Sequence, residues 1–557
     1  MLNVQLKFIL PLFQTMRFTM KTKFLQAILP HCVKSYLNAL TIAACSLFLS
    51  FNAFAEGMMS LIPKPVSSKS FDGHFLLDEN TKIYVASADP EVEQVAQQFA
   101  QKLRPATGYL LKVKKSLEQP NQNYFVFKIN PNMHYGDEGY ILDITNLGAQ
   151  LTAKTAEGLF RGTQTLRQML NHKIEANSKQ KAKWQLTQGH IIDYPRMAYR
   201  GFMLDSARYF YSVEEVKAIL DQMALYKMNV FHFHLTDDQG WRIEIPKWPK
   251  LTEIGSRSAV NQTDCEGCFY TLADFDEIVK YAEQRFIQVV PEIDTPGHTR
   301  AAMASYKEEL YCDGDAPDWP FITMDVKISS LCFSNPIIYK FFDDVIATIA
   351  PRINSGYIHV GGDETPDWVA HKDYKEFMIK AKSIVEKHGK TMIGWTNDLG
   401  SVTNLGSNVV GQHWSIPKTC CETTTSIVKQ GGKILMSPAS HTYISLKYNE
   451  TTPFGGHFAG YNDTKNAYLW DPAHIVAGVE EDDVLGIEAA LWGERVTKIE
   501  DAQFLMYPRL LSLAEVGWSV QQEREWHEFK YRLGAQAPRF KQLGIHYYPS
   551  PLVPWTR

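Results

Sequence analysis

The chain has 557 residues, 45% hydrophobic, 21% charged and 12% aromatic, a globular composition that excludes a disordered, collagenous or small disulfide-scaffold protein. With 57 cations against 61 acids the net charge is −4, so no basic field marks a nucleic-acid partner. The five cations of residues 1–55 have no acid among them, and the remainder stands at 52 cations against 61 acids, a net −9.

Residues 1–55 read as an export signal. The cations end at Lys34, an apolar run follows from Leu37 to Phe51, and Ala53-Phe54-Ala55 is a small-x-small cleavage site ahead of Glu56. The run is about 15 residues, short of the roughly 20 that a membrane span needs. The stretch before it is long for a signal, which leaves Met20 as an alternative start. An uncleaved anchor and lipidation at Cys45 are alternatives to cleavage. The mature chain is thus expected to be exported, periplasmic or secreted, without a membrane span. Six cysteines lie outside the signal: Cys265, Cys268, Cys312, Cys332, Cys420 and Cys421. An even count in an exported chain permits disulfides, and Cys265-x-x-Cys268 reads as a loop staple, with free thiols or a metal as alternatives.

Residues 56–190 mix strand and helix as a small α+β domain. Thr81–Ala86, Tyr124–Ile129 and Gly139–Ile144 are short β-branched or aromatic runs between turn residues. Glu91–Leu103 and Gly158–Leu170 have helical apolar spacing. The polar stretch Lys173–Lys183 reads as a loop or linker.

From 191 to 557 the rhythm becomes strand, helix, strand. Candidate strands are Tyr199–Asp205, Asn229–Leu235, Ile287–Ile293, Tyr357–Gly361, Thr391–Trp395, Asn408–His413, Lys433–Met436 and Leu485–Leu491. Ser212-x-x-Glu215 is a capping box opening a helix with Val216, Ile219, Leu220, Met223 and Ala224 on one stripe. Thr271–Arg285 is a second helix of that kind. Eight strands with long crossovers predict an α/β fold, a (β/α)₈ TIM barrel, and polar residues gather at the strands' carboxyl ends, where that fold carries its active site.

Four constellations lie at those ends. Tyr357-Ile-His-Val-Gly-Gly-Asp-Glu-Thr365 runs an apolar strand into two glycines and then Asp363-Glu364. Neighbouring strand-end side chains diverge, so this pair is not expected to face itself across a sugar as an acid and nucleophile about 5 Å apart. Asn229-Val-Phe-His-Phe-His-Leu-Thr-Asp-Asp238 sets His232 and His234 on one strand face. Such an HxH also occurs as a metal-ligand pair, which supplies a rival reading as a metal-dependent hydrolase. Pro291-Glu-Ile-Asp-Thr-Pro-Gly-His298 loads a third strand exit with Glu292, Asp294 and His298. Trp395, Trp414, Tyr443 and Trp492, the last followed by Glu494, are the aromatic faces and carboxylate that a carbohydrate pocket needs.

With these motifs the chain resembles the β-N-acetylhexosaminidases, family 20 of the glycoside hydrolases. The likeness rests on Asp193-Tyr-Pro-Arg-Met-Ala-Tyr-Arg-Gly-Phe-Met-Leu-Asp-Ser-Ala-Arg208, His232-Phe-His-Leu-Thr-Asp-Asp-Gln-Gly-Trp241, Pro296-Gly-His-Thr299, His359-Val-Gly-Gly-Asp-Glu364 and Leu491-Trp-Gly-Glu494. The resemblance implies an exo-acting enzyme that removes terminal β-linked N-acetylglucosamine or N-acetylgalactosamine from oligosaccharides, chitin fragments included, or glycoconjugates. It implies Glu364 as general acid/base and Asp363 as the partner of the acetamido nitrogen. Asp237 and His298 would relay to Glu364, and Arg208 and Glu494 would hold sugar hydroxyls. Tyr443 would bind the acetamido oxygen, with Trp395, Trp414 and Trp492 as walls. The family is a recognised exception to the two-carboxylate scheme: the substrate's own acetamido oxygen attacks C1. No metal and no cofactor is expected, and a homodimer is left open. Three positions depart from the family's habit: Phe233 where Trp is usual, Tyr209 where His is usual, and Ser445 where bacterial relatives often carry Asp. The non-enzyme rival is a sugar-binding relative without turnover, against which the intact Asp363-Glu364, Asp237 and His298 argue.

Overall fold

Alternation sets the first sheet: in Lys82–Ala86 the buried residues are Ile83 and Val85, and in Tyr140–Ile144 they are Tyr140, Leu142 and Ile144. The computed structural model describes residues 60–556 apart from 119, 313–318 and 416–420. The proposed leader, with Cys45, and Cys420 therefore lie outside the described residues. Seven strands are ordered Ser67–Leu76, Gln185–Asp193, Tyr140–Ile144, Gly148–Ala153, Tyr124–Ile129, Lys82–Ala86 and Val113–Lys115. The first three join antiparallel, and parallel pairing begins beyond Gly148–Ala153. Lys173–Lys183 is a loop with a short 3₁₀ turn, His172–Glu175, at its start; it leads into Gln185–Asp193 of this same sheet. Helix Pro90–Thr107 opens on an Asp89 cap, and helix Ala156–Met169 on a Thr155 cap.

The second helix is sandwiched. All of Ala156–Met169 except Glu157 is buried, because its outer face meets the next sheet's connections. Arg161 donates to the carbonyls of Arg285 and Phe286, and Gln168 to that of Leu225.

That next sheet is a closed barrel of eight parallel strands. Tyr199–Asp205 pairs with both Val230–Asp237 and Val484–Leu491, and between these run Gln288–Ile293, Tyr357–His359, Thr391–Trp395, Val409–His413 and Lys433–Met436. The fourth strand stops at His359, short of Gly361, because Gly361 and Gly362 take positive φ (69° and 89°) and end the extended chain. The capping box at Ser212 is formed and opens helix Val213–Leu225; a second, at Thr271, opens Leu272–Glu283. Among the described residues no helix is long and apolar enough to cross a membrane. The Cys265–Cys268 staple is formed, and Cys312 pairs with Cys332.

Period two stacks the barrel interior in layers. Tyr199, Val230, Val290, Ile393, Val410 and Leu435 make an apolar floor. Two residues further along, the same strands carry Gly201, His232, Glu292, Trp395 and Gln412, joined by His359 and Glu488, all fully buried apart from the glycine's missing side chain. Gly201 is small of necessity: a Cβ there would sit 2.5 Å from Glu488 Oε2. The site stands on this polar layer.

Acids tie the two sheets, and besides Asp193, which pairs with Lys227 at 2.7 Å, Glu138 does so. Glu138 contacts Arg161 of the sandwiched helix (2.8 Å) and, more closely still, Arg200 of the first barrel strand, both guanidiniums being fully buried. Burial alone would push the Glu138 carboxyl up, but Arg200 and Arg161 overcome it and hold it below its usual range. Glu138→Gln takes the counter-charge from buried Arg200 and one of two from buried Arg161, which keeps Glu157, so a loss of about 3–5 kcal/mol is expected in chemical denaturation. A depressed carboxylate stabilises above its unfolded pKa and stops doing so as pH falls through its folded one. The gap between wild type and variant should therefore close below the ordinary glutamate range and stay open at neutral pH.

Candidate active site

Asp363 and Glu364 leave the fourth barrel strand through the two glycines. At Gly361 a Cβ would lie 1.7 Å from Asp294 Oδ1, so only glycine lets the turn pass this close to the third strand's end. Glu364 itself has φ 46° and His298 φ 53°, two non-glycine residues held in the left-handed region. The result brings them together: His298 Nε2 lies 3.5 Å from Glu364 Oε2, and His298 Nδ1 lies 3.0 Å from Asp237 Oδ1.

Asp237 is the junction of the site. Its Oδ2 accepts from Arg208 Nη2 at 2.6 Å and meets His234 Nε2 at 2.9 Å, while Oδ1 serves His298. Arg208 is further fixed by Asp205 Oδ2 (3.3 Å) and Gln239 Oε1 (2.9 Å). Asp205 also accepts the backbone N–H of Gly493 at 2.9 Å, which ties the first barrel strand to the Trp492-Gly-Glu494 exit. Burial works against the charges of Arg208, Asp237 and His298, and pairing outweighs it. Arg208 and His298 are held well above their usual ranges, and Asp237 well below its own by Arg208 and His298.

These groups line a cavity of 400 Å³ together with Asp294, Trp414, Tyr443, Trp492 and Glu494. The Trp414 and Tyr443 rings lie nearly parallel with centroids 6.5 Å apart, and Trp492 stands 6.0 Å from Tyr443 with the Arg208 guanidinium over its face. Trp395 is fully buried behind this wall, 5.7 Å from Trp492, with its indole N–H donated to Glu292. Asp363 is pushed up to about 7, mainly by burial and then by the Glu364 and Glu292 charges, with His298 opposing. Its Oδ1 and the Trp414 indole N–H are buried with no hydrogen-bond partner among the described residues.

All ten residues singled out from the sequence thus converge on one barrel end, nine on the cavity and Trp395 one layer beneath. Of the three other lining residues, Asp294 is among those named at the third strand's exit, while Val326 and Phe458 are not. Asp294 was visible in its motif, two positions past Glu292 and hence on the same face. Val326 (40% exposed) and Phe458 (62%) sit on loops at the rim, where no periodicity marks them. The HxH pair is occupied by carboxylates: His232 contacts Glu488 and Glu292, and His234 contacts Glu292 and Asp237. Of the unusual positions, Phe233 packs its ring on Tyr270 and Phe231, and Tyr209 on Tyr211.

Asp237→Asn removes the counter-charge shared by Arg208, His234 and His298, and a loss of about 3–5 kcal/mol is expected. Because Asp237 is depressed, its contribution is present at all pH above its unfolded value and fails only in strong acid. The melting-temperature gap to wild type should thus persist from roughly pH 5 to 7.

Comparison with known proteins accords with this geometry. The catalytic-domain model of glycosyl hydrolase family 20 matches residues 197–521, and the family's domain 2 matches residues 58–194. The chain is 34% identical over 498 residues to a β-N-acetylhexosaminidase of Cellulomonas fimi, covering 89% of this chain and 97% of that one. The solved family 20 β-N-acetylhexosaminidase of Streptomyces coelicolor superposes with TM-score 0.85 at 40% identity, over 90% of this chain and 99% of that one. A Streptomyces plicatus β-hexosaminidase variant, solved with the product GlcNAc, matches at the same score and identity over 90% and 98%. By its barrel, its strand-end acids and these likenesses, the chain belongs to glycosyl hydrolase family 20 and is a glycoside hydrolase.

Proposed function

We propose that the protein is an exo-acting β-N-acetylhexosaminidase, exported from the cell, which hydrolyses terminal N-acetylglucosamine or N-acetylgalactosamine by substrate-assisted retention. The carrying observation is Asp363, a buried carboxylate beside Glu364 in sequence, whose Oδ1 has no hydrogen-bond partner among the described residues and which shares its cavity with Tyr443 and Trp414. Arg208 and Glu494 then hold hydroxyls of a single terminal sugar, while Trp414 and Trp492, backed by Trp395, pack against its C–H faces.

In this reading Glu364 protonates the departing glycosidic oxygen as the substrate's acetamido oxygen attacks C1. The C1–O bond breaks, and an oxazolinium ion forms with positive charge shared by the nitrogen. Asp363 accepts that N–H, and Tyr443 donates to the acetamido oxygen. Glu364, now ionised, takes a proton from water, which opens the ring at C1 with net retention. An aspartate lifted to about 7 by burial is poorly solvated as an anion, so a cation forming beside it is worth more than it would be in water. His298, kept protonated by Asp237, stabilises the ionised Glu364 of the second step.

Glu364→Gln should lower kcat by ~10²–10⁴-fold on substrates with basic leaving groups and much less on activated aryl glycosides. Equal losses on both would remove the acid role. A 2-hydroxy glucoside with the same leaving group as the 2-acetamido substrate should turn over at least ~10³-fold more slowly, about 4 kcal/mol of transition-state stabilisation. Comparable cleavage of the two would mean that a protein carboxylate is the nucleophile.

A further inference from the structure

The polar layer beneath the cavity contains a carboxylate that the reaction above does not use. Glu292, fully buried on the third barrel strand, is met on every side by groups from other strands. Its Oε2 lies 3.0 Å from His232 Nε2 and in closer contact with His234 Nδ1, both on the second strand. Its Oε1 lies 2.8 Å from His359 Nδ1, on the fourth strand, and accepts the Trp395 indole N–H, from the fifth, at 3.0 Å. Beyond it, His232 Nδ1 lies 2.7 Å from Glu488 on the eighth strand, an acid further held by Tyr199 and Gln412.

This placement makes a continuous alternation of acids and imidazoles. It runs from Glu488 through His232, Glu292, His234, Asp237 and His298 to Glu364, with every link before the last within 3.0 Å. His234 is the decisive member. Both its ring nitrogens face carboxylates, Glu292 on one side and Asp237 on the other, an arrangement that favours a proton on each, although Nε2 also lies 3.4 Å from Arg208 Nη1. A neutral His234 would put a lone pair against one of the two acids. Asp237 Oδ2 is thereby clamped by two cations, His234 and Arg208, which leaves Oδ1 aimed at His298.

We propose that Glu292 is a positioning residue for the reaction: by holding His234 it orients Asp237 toward His298, and so sets His298 against Glu364 without touching substrate. The proposal rests on the reading of Glu364 as the acid/base. Other charges face the same chain. His298 sees Asp238 at 3.8 Å and the Asp294 and Asp363 carboxylates, and His234 sees Asp205 as well as Arg208. Through the Asp237 side chain Glu292 reaches His298, and its charge also acts directly on Asp294 and Asp363. The directions agree: burial would lower His234, and Glu292 with Asp237 raises it well above its usual value.

The test is a double-mutant cycle on the full chain, using Glu292→Gln, His298→Ala and the pair, with an aryl 2-acetamido glucoside. Glu292→Gln should lower kcat by at least ~10-fold, leave KM within ~3-fold because Arg208 keeps Asp205 and Gln239, and displace the pH–rate limb that reports the acid. Because Glu292 acts through His298, the double variant should be no slower than His298→Ala alone. Multiplying losses, or a Glu292→Gln enzyme with an unmoved pH profile and a melting point lowered by itself, would overturn the proposal. His234→Gln cuts the same chain one link nearer and must show the same non-additivity, so it decides the matter if Glu292→Gln does not fold. Glu364→Gln with equal losses on both leaving-group classes would instead defeat the acid/base reading. A normal Glu364→Gln with a multiplicative cycle would defeat the Glu292 proposal alone.

Discussion

Charge compensation in a dry barrel mouth is the constraint on which the rest of the site depends. Arg208, His234, His298, Asp205, Asp237, Asp294 and Asp363 are all at least nine-tenths buried, and a lone charge in such a place costs several kcal/mol. Asp237 meets that cost for three cations at once. Geometry follows from it: an acid with two oxygens and three cationic partners has little freedom of orientation, so Arg208 and His298 are fixed relative to each other. Arg208 and the imidazole behind Glu364 are therefore registered through a single carboxylate.

The same economy explains why the turn after the fourth strand is so tight. Asp363 and Glu364 must reach the mouth beside Asp294, and only glycine at 361 leaves room for that aspartate's oxygen. Glu364 and His298 then adopt positive φ, conformations that cost of order 1–3 kcal/mol each and that the packed surroundings impose. Glu364 and His298 are held by the fold rather than by their local preference. Beneath it the barrel departs from a branched apolar filling: one layer is Tyr199, Val230, Val290, Ile393, Val410 and Leu435, and the next is histidine, carboxylate, amide and indole.

Most of this architecture was legible because period-two and capping signals are local. Tyr199–Asp205, Thr391–Trp395 and Lys433–Met436 have the bounds read from sequence, and the Ser212 and Thr271 helices begin at their caps. The strands left unread have weak apolar alternation: Ser67–Leu76 is exposed at nine of its ten positions and is ordered by its pairing with Gln185–Asp193. Among site residues, the acids and aromatics at strand ends announced themselves by chemistry and position. Glu488 and Gln412 did not, because within an apolar strand a single polar residue carries no label of the partner it will meet across the barrel. His232 and His234 were visible as a pair, but Glu292 and Glu488, the acids that meet them, come from other strands, and no sequence pattern marks that contact. Val326 and Phe458 belong to rim loops, whose course depends on tertiary contacts.

The central claim is that the substrate's acetamido oxygen is the nucleophile and that Asp363 answers the charge which then develops on nitrogen. Its most direct test is the rate for a series of aryl glucosaminides whose N-acyl group carries zero, one, two and three fluorines. Each fluorine withdraws electrons from the acetamido oxygen while barely changing its size. The account predicts that log kcat/KM falls steeply and steadily along the series, with the trifluoro substrate slower by at least ~10²-fold, close to 3 kcal/mol in the barrel's transition-state stabilisation. A flat series would contradict it, because an enzyme that attacks with its own carboxylate has no reason to register the basicity of that oxygen.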